Sequence, residues 1–170
     1  MDKKKKIVFI INPISGRGKK SDIEPLILSH FDEKNFDFRT EHIKYKEHAK
    51  ELSRKAVEEK TDIIVAVGGD GTINEVASEM IDSESIMGII PGGSGNGLAR
   101  HLGIPRNKNK ALKLIKSKKV TKIDTASVNG KAFVSIAGVG FDALVAKLFA
   151  ESTQRGFLSY FRLIAEKYPR

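Results

Sequence analysis

The fold of this chain is decided by the stretch Val65-Ala66-Val67-Gly68-Gly69-Asp70-Gly71-Thr72-Ile73-Asn74-Glu75, in which an apolar run stops at three glycines around one carboxylate. Residues 62–67 read Asp-Ile-Ile-Val-Ala-Val, a β-branched run typical of a strand buried on both faces of a parallel sheet. The glycines after it permit positive φ and a close approach of a ligand to the backbone, and a helical pattern follows from Ile73. Because the first N–H groups of a helix have no acceptor within it, we expect an anion to bind at this turn.

One carboxylate, that of Asp70, stands among the backbone amides of this turn. A carboxylate is unexpected beside an anion unless it holds a metal ion or accepts the proton of an attacking hydroxyl. The structural alternative is a glycine-rich turn with a solvated aspartate at the start of a helix. Asp70 is therefore a candidate catalytic and metal-binding residue.

The composition is that of an ordinary soluble domain, with 170 residues of which 40% are hydrophobic and 30% charged. A chain of this length can bury one substantial core. The absence of cysteine excludes disulfides and cysteine-ligated zinc, and it suits a reducing cytoplasm. No apolar run approaches the roughly 20 residues of a membrane-spanning helix, and the basic start at residues 1–6 is interpreted as a lead into the first strand rather than as a signal peptide.

The formal net charge of +9 is unevenly distributed. Residues 61–100 contain one basic and six acidic residues, whereas residues 101–170 contain 14 basic and four acidic ones. Such a basic region suits an anionic membrane surface or a solvated face. Nucleic acid is not predicted as a partner, because the sequence shows no interleaving of aromatic and basic residues and no zinc-finger spacing.

The rest of the first 118 residues alternates strand and helix patterns. Strands are predicted at residues 6–11, 35–43 and 86–90, and helices at residues 21–30, 48–60, 98–102 and 107–118. This order predicts an α/β fold with an open, mostly parallel sheet.

Three glycine-containing loops, residues 12–18, 68–72 and 92–97, each follow a predicted strand directly. The loops at the carboxyl ends of strands in an open α/β sheet meet at one crevice, so we expect all three to converge on one ligand. The first loop is not a Walker A loop, because Pro13 stands where its first glycine is required. It is not a G-x-G-x-x-G loop either, because Ser21 occupies the position of the third glycine.

The pattern changes to antiparallel β after residue 119. Residues 120–128 and 131–137 alternate, and Asn129-Gly130 between them is a strong hairpin signal. We predict two domains, residues 1–120 and residues 121–170, the second one incomplete because a hairpin and two helices do not close a core. Those two helical segments are predicted from the turn at residues 138–143 to about residue 150, and at residues 157–168.

Three motifs resemble one protein family. They are Asn12-Pro13-x-Ser15-Gly16, then Gly68-Gly69-Asp70-Gly71-Thr72-x-Asn74-Glu75-Val76, then Pro91-Gly92-Gly93-Ser94-Gly95-Asn96-x-Leu98-Ala99-Arg100. Together they are similar to the catalytic domain of diacylglycerol kinases, sphingosine kinases and bacterial lipid kinases. Gly140-Phe141-Asp142-Ala143 and Gly156-Phe157-Leu158-Ser159-Tyr160 also match the start of that family's second domain. Gly-Gly-Asp-Gly-Thr alone is shared with NAD kinases, which lack the other two motifs in this form.

The resemblance implies an NAD-kinase-like nucleotide-binding α/β domain followed by a β-sandwich domain, with ATP and Mg²⁺ between them and a lipid hydroxyl as the phosphoryl acceptor. Asp70 would bind the nucleotide and the metal or act as the base, Asp142 would bind the lipid headgroup or cap its helix, and Glu75 would brace the glycine loops. The residues implied to line the nucleotide site are Asn12, Pro13, Ile14, Ser15, Gly16, Gly68, Gly69, Asp70, Gly71, Thr72, Ile73, Asn74, Gly93, Ser94, Gly95 and Asn96.

Two positions and one region depart from the family pattern. Ile43 stands where a nucleotide-contacting threonine is usual, and Gly97 stands where many diacylglycerol kinases have aspartate, which leaves the lipid preference open. The later part of the β-sandwich, with its acidic catalytic residue and further metal ligands, has no counterpart here. If the protein ends at Arg170, we expect nucleotide binding with weak or absent kinase activity.

The leading hypothesis from the sequence is an ATP-dependent lipid kinase, or its N-terminal part, that is cytoplasmic and peripheral to an anionic membrane surface. A homodimer is an allowed assembly. The alternatives are an NAD-kinase-like kinase of a soluble acceptor and a non-catalytic nucleotide-binding fragment.

Overall fold

The structure, a computed structural model, describes residues 4–15, 23–32, 34–117, 119–136, 138 and 143. Its elements follow in the order β1 (Lys5–Ile11), α1 (Ile23–His30), β2 (Phe36–His42), α2 (His48–Glu58), β3 (Ile63–Gly68), α3 (Asp70–Ser78), β4 (Ile86–Pro91), α4 (Gly97–His101), α5 (Lys108–Lys116), β5 (Ala126–Val128) and β6 (Lys131–Phe133). None of the described helices is long and apolar enough to cross a membrane.

The main sheet has four parallel strands in the order β2-β1-β3-β4. β1 pairs with β2 on one side and with β3 on the other, and β3 is buried along its whole length. A parallel pair needs a crossover between its strands, and α1, α2 and α3 supply those crossovers. The predicted α/β class with a parallel sheet is therefore confirmed.

Helices cover both faces of this sheet. Alternate residues of β1 and β3, such as Phe9 and Val65, pack with α1 and α5 in one core cluster. The intervening residues, such as Ile10 and Ala66, pack with α2, α3 and α4 in a second cluster. Because both faces are buried, the central strands are continuous apolar runs without polar alternation, as their sequence predicted.

The hairpin forms at the predicted place but is shorter than predicted. Asn129 and Gly130 adopt φ values of 50° and 71°, the left-handed conformation that such a two-residue turn requires. β5 and β6 contain three residues each, and residues 119–125 are exposed and form no strand. These residues have no strand beside them in the described part of the chain, so their alternating pattern has no ladder to join.

The chain divides into two compact units, Met1–Ser135 and Ile136–Arg170. The first unit includes the hairpin. The predicted helical segments after residue 138 lie outside the described residues, apart from Ala143, which is helical. The domain boundary at residues 120 and 121 stays a prediction.

α1 ends at a histidine whose ring is partly enclosed. His30 Nε2 is buried and has no hydrogen-bond partner among the described residues, while Lys116 Nζ donates to the His30 backbone carbonyl over 2.9 Å. Burial lowers the pKa of His30 below its ordinary value, and the positive charges of Lys116 and Lys113 lower it further. The folded protein therefore disfavours the imidazolium.

We expect the chain to become less stable as the pH falls from about 7.5 to about 5.5, because unfolded His30, with a pKa of about 6.5, takes up a proton that the folded imidazole resists. His30→Gln should reduce this loss, since it removes the titrating ring. Urea unfolding of both proteins at the two pH values measures the effect. An unchanged pH dependence in the variant would contradict the assignment to His30.

Candidate active site

The three glycine-containing loops meet at the carboxyl end of the sheet, as the sequence predicted. The Asn12 N–H donates to the Val67 carbonyl over 2.9 Å, which joins the end of β1 to the end of β3. The Gly92 N–H donates to the Gly68 carbonyl over 2.7 Å, which joins the ends of β4 and β3. The loops thus continue the hydrogen bonding of the sheet and lie side by side.

Close contact between two backbones explains the glycines of the second and third loops. A Cβ at Gly93 would lie 2.7 Å from Cα of Gly69, a separation that Cβ atoms do not tolerate. The described loop glycines do not use the positive φ that glycine permits, because the described glycines with positive φ are Gly103 and Gly130. The loops need glycine because a side chain would push them apart.

Asp70 joins the second loop to the third. Its Oδ2 accepts a hydrogen bond from the Asn96 N–H over 2.7 Å, and its Oδ1 accepts one from the Gly97 N–H over 2.6 Å. A Cβ at Gly95 would lie 2.6 Å from Asp70 Oδ2, so this loop position must also lack a side chain. The carboxylate therefore holds the backbone at the start of α4 against the start of α3.

The third loop is closed by its own asparagine. Asn96 is buried and adopts φ 54°, a left-handed conformation that asparagine tolerates better than most residues. Its Oδ1 accepts from the Gly93 N–H over 2.9 Å, and its Nδ2 donates to the Gly93 carbonyl over 2.5 Å. These two bonds fix the loop conformation, while Ser94 at its tip is exposed.

The first loop is tied to α3 by side chains. Asn12 Nδ2 donates to Thr72 Oγ1 over 3.0 Å, and Asn12 Oδ1 accepts from the Ile14 N–H over 3.0 Å. Ser15 Oγ donates to the Asn12 carbonyl over 2.8 Å. Thr72 is buried over Gly68, where a Cβ would lie 2.6 Å from it. Asn12 thus orients the first loop, and Pro13 and Ile14 remain exposed.

The start of α3 is open. The first backbone bond of the helix runs from the Ile73 N–H to the Gly69 carbonyl, so the N–H groups of Asp70, Gly71 and Thr72 have no acceptor within the helix. A Cβ at Gly71 would meet no atom of the other described residues within 4 Å, apart from the backbone of its own helix. Among the described residues of the three loops, the start of α3 therefore gives a ligand free access to the backbone.

Asn74 contacts the hairpin. Its Nδ2 donates to the Ala132 carbonyl and its Oδ1 accepts from the Val134 N–H, both over 3.2 Å. This contact between α3 and the hairpin was not predicted, because backbone groups, which are the same in every residue, make it. Ile73, another predicted nucleotide residue, buries its side chain in the core below the loops.

Glu75 braces a helix rather than the glycine loops. It accepts a hydrogen bond from the backbone N–H of Ala49, in the first turn of α2. Glu47, the N-cap residue of α2, makes no capping hydrogen bond with its side chain, so Glu75 caps this helix instead. Burial, reinforced by the charge of Glu47, raises the pKa of Glu75 above its ordinary value, although Lys50 and the Ala49 bond oppose this shift.

Two predicted site residues, Gly16 and Asp142, lie outside the described residues. No cluster of three or more histidine, aspartate or glutamate side chains suited to a metal ion occurs in the part of the chain that the structure describes. Among the loop residues that it does describe, Asp70 carries the one carboxylate.

The sequence profile of the "Diacylglycerol kinase catalytic domain" matches residues 6–128 of the chain. This chain belongs to the diacylglycerol kinase catalytic domain family. The resemblance found in its three motifs is therefore confirmed, and it places the chain in a family of kinases.

Individual members of the family agree with this assignment. A Bacillus subtilis protein named "Diacylglycerol kinase" is 35% identical over 139 residues, which cover 80% of this chain and 46% of that protein. An Enterobacter protein named "Probable lipid kinase YegS-like" is 41% identical over 85 residues, which cover 47% of this chain and 28% of that protein. A crystal structure of a diacylglycerol kinase from Bacillus anthracis superimposes with a TM-score of 0.67 at 31% identity, covering 78% of this chain and 51% of that one. The chain thus spans about half the length of these longer diacylglycerol kinases.

Proposed function

We propose that this chain is the nucleotide-binding part of an ATP-dependent lipid kinase, which transfers the γ-phosphate of ATP to a lipid hydroxyl such as that of diacylglycerol. The observation that carries the proposal is the convergence of three glycine-containing loops on the open start of α3. Family membership supports the same reaction class.

The ATP phosphates fit the start of α3. The N–H groups of Asp70, Gly71 and Thr72 lack helical acceptors, and the helix dipole favours an anion there. Gly71 leaves room for phosphate oxygens to reach these groups. Residues 12–16 and 93–96 would flank the phosphates, with the exposed Ser94 supplying a further donor.

Phosphoryl transfer forms a bond between the acceptor oxygen and the γ-phosphorus and breaks the bond to the oxygen that bridges the β- and γ-phosphates. The hydroxyl proton leaves to a base, and ADP departs with the bridging oxygen. Such a reaction depends mainly on fixed phosphates, a metal ion and an oriented hydroxyl. The bonds of Asp70 and Asn96 provide a fixed frame of this kind.

The donor set of the loops fits Mg²⁺ held together with nucleotide. Mg²⁺ in kinases is commonly bound through one or two carboxylates and the substrate phosphates, and Asp70 offers one carboxylate beside the proposed phosphate position. Bound Mg²⁺ would neutralise phosphate charge during transfer. Asp70 already accepts two backbone hydrogen bonds, which anchor the third loop. We therefore assign Asp70 mainly to anchoring this loop and to binding the metal ion with its nucleotide. The role of general base is the second assignment.

The acceptor side of the proposal rests on family membership. Residues 121–170 would begin the second domain, and Asp142 would accept a hydrogen bond from the lipid headgroup. We place the enzyme in the cytoplasm at an anionic membrane surface, with a homodimer as an allowed assembly. Because the chain spans about half of its diacylglycerol kinase relatives, a nucleotide-binding part without turnover of its own is the second candidate.

The test is phosphate transfer from labelled ATP with Mg²⁺ to vesicles containing diacylglycerol, a sphingoid base or phosphatidylglycerol, beside NAD⁺ and a lipid-free control. A labelled lipid is the expected product if the chain is catalytic by itself. MgATP binding without any product would support the second candidate. A labelled soluble acceptor, or no binding of MgATP at all, would overturn the proposal.

A further inference from the structure

The region around α5 has an unusual charge distribution. Residues 85–123 contain no acidic residue and nine basic ones. The structure describes all of these except Lys118, and Lys108 is half-buried while the others are exposed. We call five of them the α5 basic surface: Arg106, Lys110, Lys113, Lys119 and Lys122.

Several basic residues elsewhere in the fold pair with carboxylates. Arg39 pairs with Glu59 over 2.5 Å, and Arg54 of α2 pairs with Glu79 over 3.0 Å. Within the described residues, no side chain of the α5 basic surface lies within 4.0 Å of a carboxylate oxygen. Carboxylates of the described residues thus do not neutralise this surface.

The packing of α5 explains why these charges face outward. Ala111 and Leu112 are fully buried against the sheet, and Ile115 packs beside them. This amphipathic arrangement fixes one face of the helix in the core and leaves its lysines in solvent. Lys116 is the exception, because it donates to the His30 carbonyl and lies 5.8 Å from the centre of the Phe36 ring.

Exposed apolar side chains accompany the lysines after α5. Val120 is 56% exposed and Ile123 is 40% exposed, next to Lys119 and Lys122 respectively. Lysines interspersed with exposed aliphatic side chains are typical of surfaces that bind the interface of an anionic bilayer.

We propose that the α5 basic surface docks the protein on an anionic lipid bilayer. This inference rests on the proposed function, since a lipid kinase has to reach an acceptor held in a membrane. Nucleic acid is the less suitable partner because residues 85–123 contain no Phe, Trp or Tyr on which bases stack.

The test compares two triple variants of the whole chain in vesicle co-sedimentation. Lys110, Lys113 and Lys122 are replaced by Gln in the first variant. In the second, Gln replaces Lys46, Lys55 and Lys60, which are also exposed but lie in or beside α2, the helix that packs on the other face of the sheet from α5. Both variants lose the same charge. Vesicles of phosphatidylglycerol and phosphatidylcholine are compared with pure phosphatidylcholine at about 0.1 M salt, where exposed charges are only partly screened. Circular dichroism checks that both variants fold.

We expect the unchanged protein to bind the anionic vesicles. The first variant should bind them about 100-fold more weakly, because each of its three lost lysines contributes about fivefold to the affinity. The second variant should lose less than about threefold, because its lysines lie away from the contact. Equal losses in both variants, or none in the first, would overturn the proposal. Tighter binding to a short DNA duplex than to anionic vesicles would overturn it in favour of nucleic acid.

A lipid-free measurement of MgATP binding on the same samples keeps the two proposals apart. Vesicle binding that depends on the α5 basic surface, together with absent MgATP binding, would overturn the kinase and leave the docking surface supported. MgATP binding with no preference for anionic vesicles would overturn the docking surface alone.

Discussion

Replacing Asp70 by Asn is expected to weaken MgATP binding at least about tenfold and to lower the free energy of unfolding by about 1–3 kcal/mol. Both carboxylate oxygens of Asp70 accept backbone N–H groups, from Asn96 and Gly97. The amide of asparagine has one oxygen, so its NH₂ group would face an N–H donor and one of the two bonds would be lost. The third loop would then move away from the start of α3. Urea unfolding and calorimetric titration with MgATP measure the two effects.

The stability measurement separates anchoring from chemistry at this position. A residue that acted only as a base or metal ligand would lose turnover on substitution and keep its stability. Asp82→Asn is the matched control, because Asp82 is an exposed aspartate with φ 61° whose replacement removes the same charge away from the loops. Unfolding free energies of Asp70→Asn and the control that agree within about 0.5 kcal/mol would contradict the anchoring role.

Gly93→Ala and Gly71→Ala are expected to impair nucleotide binding for different reasons. The new Cβ of Gly93→Ala would lie 2.7 Å from Cα of Gly69 and 3.1 Å from Asn96 Oδ1, so two backbones would have to separate. Overpacking of this kind costs about 1–3 kcal/mol of stability. We expect Gly93→Ala to lose stability by this amount and to lose MgATP binding with it.

Gly71→Ala keeps the loops in place, since its Cβ would meet no atom of the neighbouring loops within 4 Å in the described part of the chain. Alanine is the better helix former by about 0.5–1 kcal/mol, so the free energy of unfolding should stay constant or rise. MgATP binding should still fall at least about tenfold, because the methyl group would occupy the space assigned to the phosphates. Unchanged MgATP affinity in this stable variant would show that the phosphates bind elsewhere.

Local pattern was sufficient for the elements of the α/β part. The apolar runs of β1, β3 and β4 and the helical spacing of α2 and α5 lie within a few residues of their predicted bounds. Two boundaries were missed for identifiable reasons. α3 begins at Asp70 rather than near Ile73, because Gly71 and Thr72 take helical positions in the structure, and the predicted strand at residues 120–125 does not form because no strand lies beside it.

The roles of individual polar side chains were less predictable. Asn74 is predicted to line the nucleotide site, and the sequence did not predict that its amide also bonds the backbone of Ala132 and Val134, 58 and 60 residues further along the chain. Glu75 was assigned to the glycine loops, yet it bonds Ala49 in α2. The sequence does not show which of several neighbouring backbone groups a short polar side chain will bond.

The sequence by itself determined the parallel α/β architecture, the position of three glycine-containing loops at one edge of the sheet, and the family. These follow from local periodicity and from motifs that each span about ten residues or fewer. Only the tertiary structure decided that Gly93 faces Gly69, that Asp70 binds the start of α4, and that Gly71 is left open to a ligand. The physical reason is distance. These contacts require separations that are correct to within a few tenths of an ångström, between loops that neighbouring strands, and not neighbouring residues, bring together.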